Sequence, residues 1–420
     1  MAYRVAAIDI HKKVLMVVVA TAAEETSDAT GQALEFECRR FGTGSKERMP
    51  LVSWLQARGV VEVVMESTAQ YWRPVYLDLE PHFAKLHLAQ AQSNRAPKGR
   101  KNDSKDAKRL GRRLLADELM LSFVPDAEQR RGRTLPRGRQ PLIRDRVRLQ
   151  NQVEAWLEEM RIQLSGVISD LLGVSGRRIP AALAQGQTEP AKRAALGDAQ
   201  WKCSQEELTD ALTGSPEPLQ LQVLQLFLER LKLFDEQIEP MEKMTAEQLH
   251  QHEQAVIRIA QIPGFGVHSA QQIIAEIGPD GSAFPSADAF CAWIGCCPGS
   301  NESAEKNQRS RSPQGHRYVR RILAEAAPAA VRKMGCRFQQ LFQRFLPRLG
   351  YAGTVWAVAH RLARVIWKML HDAIRYKELG DQGTPQSPKR RFQKLVKELR
   401  RLGYTVTLKA DKETICLATS

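Results

Sequence analysis

Long apolar runs are missing from this chain. None approaches the roughly 20 residues that a bilayer-spanning helix needs. The start, Met1-Ala-Tyr-Arg-Val-Ala-Ala-Ile-Asp9, enters a strand-like pattern at once instead of a signal peptide. Metal-ribbon cysteine spacing is also missing. The seven cysteines, at 38, 203, 291, 296, 297, 336 and 416, are odd in number and form no CxxC pair. That excludes a zinc ribbon and a disulfide framework and points to reduced thiols in a soluble cytoplasmic protein with no membrane. No internal repeat is evident. Acidic residues are the last shortage: 47 Asp and Glu face 62 Lys and Arg, a formal net charge of +15. Such a balance favours a polyanionic partner, because each neutralised phosphate releases counterions. A length of 420 residues predicts two or three domains.

Residues 3–9, 14–21 and 34–41 read as three strands, the third by its alternation of apolar and polar residues. Ser45 is expected to cap a helix through Leu51, Trp54 and Leu55 that ends at Gly59. A buried strand over 60–66, a helix over about 71–80, a strand over 85–89 and a basic helix over about 103–117 follow. That element order is the one of an α/β RNase H-like domain, drawn over residues 1–118.

Residues 119–250 read as an Arg-rich linker and a helical region. Eight arginines crowd 128–148, interrupted by Pro136, Gly138 and Pro141. Val153, Leu157, Met160, Leu164, Val167 and Leu171 then recur at spacings of four and three. A second seam runs Leu224, Phe227, Leu231, Phe234, Ile238, Met241, with Pro240 expected to break or kink it. The two seams fit an antiparallel hairpin or an oligomeric coiled coil. A compact all-α domain spans 251–345. A basic tail, 346–420, opens on an amphipathic helix from Tyr351 and continues through a flexible Gly380–Pro388 stretch.

Two features carry chemistry. Metal-assisted phosphodiester cleavage needs carboxylates converging on divalent cations about 4 Å apart, and magnesium prefers oxygen ligands. Asp9 lies inside an apolar strand, where an unpaired carboxylate is costly. Glu66 ends another strand, and Asp103 and Asp106 are one turn apart on a helix. Each has a bland alternative: Asp103 as N-cap, Asp106 as dipole partner, Glu66 as a surface residue. Around them, Lys98, Arg100, Lys101, Lys105, Lys108, Arg109, Arg112 and Arg113 suit a nucleic-acid backbone, or else a solvated helix face.

The second feature is C-terminal. Ile262-Pro263-Gly264-Phe265-Gly266 and the run after it read as a helix-hairpin-helix whose Gly264 and Gly266 backbone could hold a phosphate; the alternative is a glycine turn between packed helices. Downstream, Ser300, Ser303, Ser310 and Ser312 are chemically indistinguishable as nucleophiles. Lys306, Arg309, Arg311, Arg317 and Arg320 are the cations that would stabilise charge at a phosphorus under attack.

Taken in order, Ala-Ile-Asp9-Ile, Val-Met-Glu66-Ser-Thr, Asn-Asp103-Ser-Lys-Asp106-Ala, Leu164-Ser-Gly-Val-Ile-Ser-Asp170 with Gly173, the Ile-Pro-Gly-Phe-Gly turn and Pro298-Gly-Ser-Asn-Glu-Ser303 resemble the DEDD transposases of the one-ten group of insertion sequences, more closely their eleven-eleven branch. The resemblance spans about residues 4 to 330. It implies a RuvC-like domain joined through a coiled coil to a small helical domain, and a composite site using Mg2+ on Asp9, Glu66, Asp103 and Asp106. It also implies Ser303 as nucleophile, a structured guide (bridge) RNA, donor and target DNA, and a homo-oligomer, dimer to tetramer. Two departures stand out. Ala304 follows Ser303 where the family has glycine, and the 128–141 stretch is unusually rich in Arg, Gly and Pro, an RNA-facing insertion or divergence. Two alternatives remain open: a metal-dependent junction nuclease with no covalent intermediate, and a non-catalytic nucleic-acid-binding protein.

Overall fold

In a computed structural model, the described residues are 3–22, 34–66, 69–91, 103–297 and 312–378, short of 169, 174 and 199, together with 302–303, 306–307, 396, 400, 407–410 and 415–418. The chain divides into two compact units, Met1–Asp126 and Ala127–Ser420.

The first unit is built on β1 (Tyr3–Ile10), β2 (Val14–Ala22), β3 (Glu35–Gly42), α1 (Ser45–Ala57), β4 (Glu62–Glu66), α2 (Trp72–Leu79), β5 (Lys85–Ala89) and α3 (Asp103–Leu115). The sheet order is β3-β2-β1-β4-β5, antiparallel from β3 to β1 and parallel from β1 to β5. Because successive side chains alternate faces, β1 supplies two cores. Ala6, Ile8 and Ile10 join Val17, Met65, Leu51, Leu55 and Leu79 on the face covered by α1 and α2. On the other face Ala7 meets Val64 and Leu110, while Ala107 meets Val18. Small residues bring α3 close there: a Cβ added to Gly111 would lie 3.5 Å from that of Ala7. This mixed sheet fits an RNase H-like domain. Residues 119–126, read from the sequence as helical-region chain, belong to this unit. Ser122 donates to the Leu88 carbonyl at 2.6 Å, and Leu121 bridges to Ala89. Gly44, not Ser45, holds the N-cap of α1.

The second unit is mostly helical: α4 (Ala127–Gly132), α5 (Thr134–Glu159), α6 (Arg178–Ala184), α7 (Pro190–Ala194), α8 (Gln205–Ala211), α9 (Pro218–Gln248), α10 (Glu253–Ala260), α11 (Val267–Ile277), α12 (Ala287–Ile294), the two-residue strands β6 (Glu302–Ser303) and β7 (Lys306–Asn307), α13 (Arg317–Arg332), α14 (Arg337–His371), then β8 (Thr407–Ala410) and β9 (Ile415–Ala418). Helices α5 and α9 run antiparallel. Arg139 Nε reaches Glu242 at 2.9 Å, Arg146 pairs with Asp235 at 2.7 Å, and Trp156 Nε1 donates to the Gln220 carbonyl at 3.0 Å. Leu149, Val153 and Leu157 pack with Leu224 and Leu231 in one cluster.

Three expectations are corrected here. The Arg-rich stretch 128–148 is helix, not an irregular linker: Pro136 falls in the first turn of α5, whose backbone N–H groups have no partners within the helix. Pro240 does not break α9, where buried Ile238 and Thr245 on either side anchor the helix. The first seam stops being a helix at Glu159. Leu164–Gly166 is a 3-10 turn, and Leu164, Ile168 and Leu171 reach the same core without helical periodicity.

Helix α14 bends at Gly350, whose φ of 65° and ψ of 175° only glycine adopts readily. Its second half buries Val358, Leu362 and Ile366 and packs on α10, α12 and α13, so the helix assigned to a tail beyond 345 is part of the C-terminal core. Among the described residues no helix is long and apolar enough to cross a membrane. Leu231 is fully buried in the α5–α9 seam. Leu231→Ala is expected to lower unfolding stability by about 2–5 kcal/mol in urea titrations; a loss below 0.5 kcal/mol would show the seam to be loosely packed.

Candidate active site

The last pair of the β1–β4 ladder is Ile8 with Met65, so Asp9 and Glu66 follow at neighbouring C-terminal strand ends. Asp103 and Asp106 open α3, which lies on the same sheet. His11 stands in the turn after β1, its N–H bonded to the Val14 carbonyl at 2.9 Å. Its Nε2 lies 3.2 Å from Asp9 Oδ2 and 3.4 Å from Asp103 Oδ1, so one imidazole nitrogen serves two carboxylates. The Asp9 side chain is 14% exposed. Burial pushes its carboxyl above the usual carboxylate range, the charges of Asp103 and Asp106 push it further, and His11 opposes them.

Asp9, His11 and Asp103 form the group among the described residues that could hold a metal ion. Glu66, half-buried at its strand end, stands outside that group. The donor set, two carboxylate oxygens and one imidazole nitrogen with excess negative charge, suits a divalent cation. His11 escaped the sequence reading. Its signal was its position, two residues beyond a strand-buried aspartate in a tight turn.

The surrounding cations divide. Lys105 is exposed, while Lys108 and Arg112 lie over the Phe36 ring at 5.6 and 5.0 Å and Arg113 donates to the Glu118 carbonyl. The Nε of Arg109 is buried with no hydrogen-bond partner among the described residues. Lys98, Arg100 and Lys101 lie outside the described residues, as do Ser300, Arg309, Ser310 and Arg311.

In the second unit, Ser303 pairs with Lys306 across the β6–β7 ladder. The segment that carries it is closed at its neck by main chain. His316 N–H donates to the Ile294 carbonyl at 3.1 Å, and a Cβ on Gly295 would sit 2.7 Å from the Pro313 carbonyl oxygen. Arg320 donates to the carbonyls of Gly295 and Pro313 and to Ser312 Oγ, and its guanidinium stacks 4.1 Å from the Trp356 ring. Arg320 and Ser312 therefore hold the neck, whereas Arg317 is exposed beside Tyr318.

The two turn glycines also differ. A Cβ on Gly264 (φ 86°) would come within 2.3 Å of the Ala326 carbonyl oxygen, so this glycine lets the turn press against α13. Gly266, the N-cap of α11, faces open space.

Residues 6–162 match a family model of DEDD-type IS110 transposases, and residues 257–343 match one described as Transposase IS116/IS110/IS902 family. The two matches together cover both carboxylate helix and strands, the glycine turn and the serine segment. Over these two stretches the chain is similar to transposases of the IS110/IS116 family, and it is a transposase. A putative transposase of Sinorhizobium fredii is similar at 25% identity over 310 residues, 72% of this chain and 70% of its own length. A probable family 20 transposase of Pseudomonas aeruginosa is 28% identical over 326 residues, 73% of this chain and 83% of its own. An uncharacterized 42 kDa protein of insertion element IS900 of Mycobacterium paratuberculosis is 30% identical over 143 residues, 33% of this chain and 35% of its own. The transposase is thus a DNA-cleaving and rejoining enzyme of a class that generally depends on divalent metal.

Beside His316 at the neck lies a buried ionic hub. Glu276, 2% exposed, accepts two hydrogen bonds from Arg137 at 2.7 Å each, and Arg133 Nε lies 3.2 Å away. Arg133 also donates to the Glu276 carbonyl. His316 Nε2 stands 3.5 Å from Glu276, its ring stacked on Trp293 at 4.3 Å. Arg133 and Arg137, from the stretch read as an RNA-facing insertion or divergence, are turned inward onto Glu276, because a buried carboxylate requires paired charge.

Burial drives His316 down to about 4, against the pull of Glu276. A histidine with a depressed folded pKa stabilises the fold fully above its unfolded value and loses that contribution as pH falls towards the folded one. Between pH 6.5 and 4 this amounts to about 3 kcal/mol at most. Urea titrations of His316→Gln should therefore show a flatter pH dependence across that window; an unchanged slope would exclude a buried neutral imidazole. For Asp9 the sign is opposite. Its raised carboxyl makes ionisation destabilising above the folded pKa and costless below the unfolded one. In EDTA at pH 7.5, Asp9→Asn is expected to melt higher than wild type, with the gain shrinking towards pH 4, and to lose the stabilisation that millimolar Mg2+ or Mn2+ gives wild type. A lower melting point in EDTA would contradict the electrostatic account.

Proposed function

We propose that this transposase excises and inserts its element by strand exchange through a covalent serine intermediate, in the cytoplasm and as a homo-oligomer. A structured RNA of the element would select donor and target DNA by base pairing. The observation that carries the reading is the convergence of Asp9, Asp103 and Asp106 at the end of the central strand, followed in the chain by the serine segment on its closed neck.

Asp9, Asp103, Asp106 and Glu66 would hold Mg2+, which supplies charge neutralisation at the scissile phosphate when bound. Ser303 Oγ attacks the phosphorus and loses its proton. The bond to the sugar oxygen breaks, and the departing hydroxyl takes up a proton. Attack by the hydroxyl of another strand then reverses the exchange and frees the serine. Lys306 and Arg317 offer positive charge to the oxygens at phosphorus. Lys105 on α3 offers positive charge to the DNA backbone.

Excision in cells, read by PCR across the rejoined donor and the circular product, tests the assignment. Wild type is expected to yield both products, and Asp9→Ala and Ser303→Ala neither, with nucleic-acid binding retained in each. Product from Ser303→Ala would replace the serine by water and turn the enzyme into a junction nuclease.

A further inference from the structure

From Ala326 to His371 the chain contains no Asp or Glu, and it carries Arg332, Lys333, Arg337, Arg344 and Arg348 in its first half. Every residue from Gln343 to Gly353 is exposed except Phe345, which is half-buried. An arm so exposed does not earn its apolar residues by packing: Leu346, Leu349 and Tyr351 are 38%, 43% and 63% exposed. Aromatic and cationic groups alternate along it. The guanidinium groups of Arg344 and Arg348 lie 5.9 and 5.8 Å from the Phe345 ring, and Phe342 meets Tyr351 edge-on at 5.7 Å.

Gly350 sets this geometry. A Cβ there would meet nothing within 4 Å, so crowding does not demand glycine; the backbone angle does. The bend carries Tyr351 back against Phe342 and leaves most of its ring in solvent. The carboxylate of Glu378 is used at the other end of the helix, where it accepts from the Arg337 N–H at 3.1 Å.

Duplex DNA presents phosphates but hides its base faces, so it would use the cations and leave Tyr351 idle. Unpaired nucleotides present both. A helix in the core of a second copy would use the leucines but would bring no negative charge to match this arm. We infer that the arm from Gln343 to Gly353 binds an unpaired stretch of nucleic acid, with Tyr351 stacking on a base while Arg344 and Arg348 neutralise phosphates. The inference rests on the transposase reading, since strand exchange exposes unpaired DNA and a folded RNA exposes loops.

Binding of the full-length protein to a fluorescein-labelled 20-nucleotide oligothymidylate, to the matching oligouridylate and to a blunt 20-base-pair duplex tests it by anisotropy over a salt series. Tyr351→Ala is expected to weaken at least one single strand about tenfold, with Tyr351→Phe near wild type and the duplex unchanged. Whichever single strand is affected identifies the source as DNA or RNA. The Arg344→Ala, Arg348→Ala pair should lower the slope of log affinity against log salt by about 1.4 for that strand. Equal losses for duplex and single strands, or no loss with Tyr351→Ala, would overturn the inference while leaving the transposase reading intact. So would sedimentation showing that Tyr351→Ala dissociates an oligomer. A wild type that binds none of the three probes would overturn this inference and the proposed strand-exchange mechanism together.

Discussion

Carboxylates brought together at a half-buried strand end repel one another, and the first unit is organised around resisting that repulsion. Asp9 cannot move away because β1 is the middle strand, hydrogen-bonded on both sides and packed on both faces. Asp103 and Asp106 cannot move away because α3 is seated on Ala7, Val18 and Val64 through its own small residues, Ala107 and Gly111. The rigidity of the sheet is thus what keeps the acidic groups in place, and a bridging imidazole relieves part of the strain between two of them. A site held in this way favours positive charge over a further negative one, because its carboxylates repel one another.

The second unit solves a different electrostatic problem. Glu276 is nearly inaccessible and would be costly there alone, yet two arginines from α4–α5 and their connection reach it from a part of the chain about 140 residues away. This arrangement docks the start of the long hairpin onto the C-terminal helices. It also sets His316, the N-cap of α13, beside the same carboxylate. Breaking one partner would strand the rest in a poorly solvating interior.

Much of the sheet was legible in the sequence, since β1, β2 and β4 are short apolar runs with clear breaks, and the aspartate inside the first run stood out as chemically costly. The second helical seam announced itself by period, and the first did so only as far as the end of α5. What failed was punctuation. Pro136, Pro141 and Pro240 looked like breaks but sit in helices, because local cost was outweighed by packing of neighbours such as Leu149, Ile238 and Thr245. The ion-pair partners of the Arg-rich stretch were hidden for a related reason. A run of arginines looks solvent-facing unless one knows that Glu276, Asp235 and Glu242 lie opposite, and those partners are far away in sequence. His11 was invisible because its role exists only once β1 and α3 have been brought together.

The neck formed by Gly295, Pro313, Gly315 and His316 separates anchorage from chemistry. It is closed by carbonyls and N–H groups, with Arg320 as its clasp. The helices on either side of the neck are therefore tied together by Gly295, Pro313, His316 and Arg320 themselves. On the reading proposed above, the serine would then stand on a segment whose anchorage is independent of the chemistry it performs.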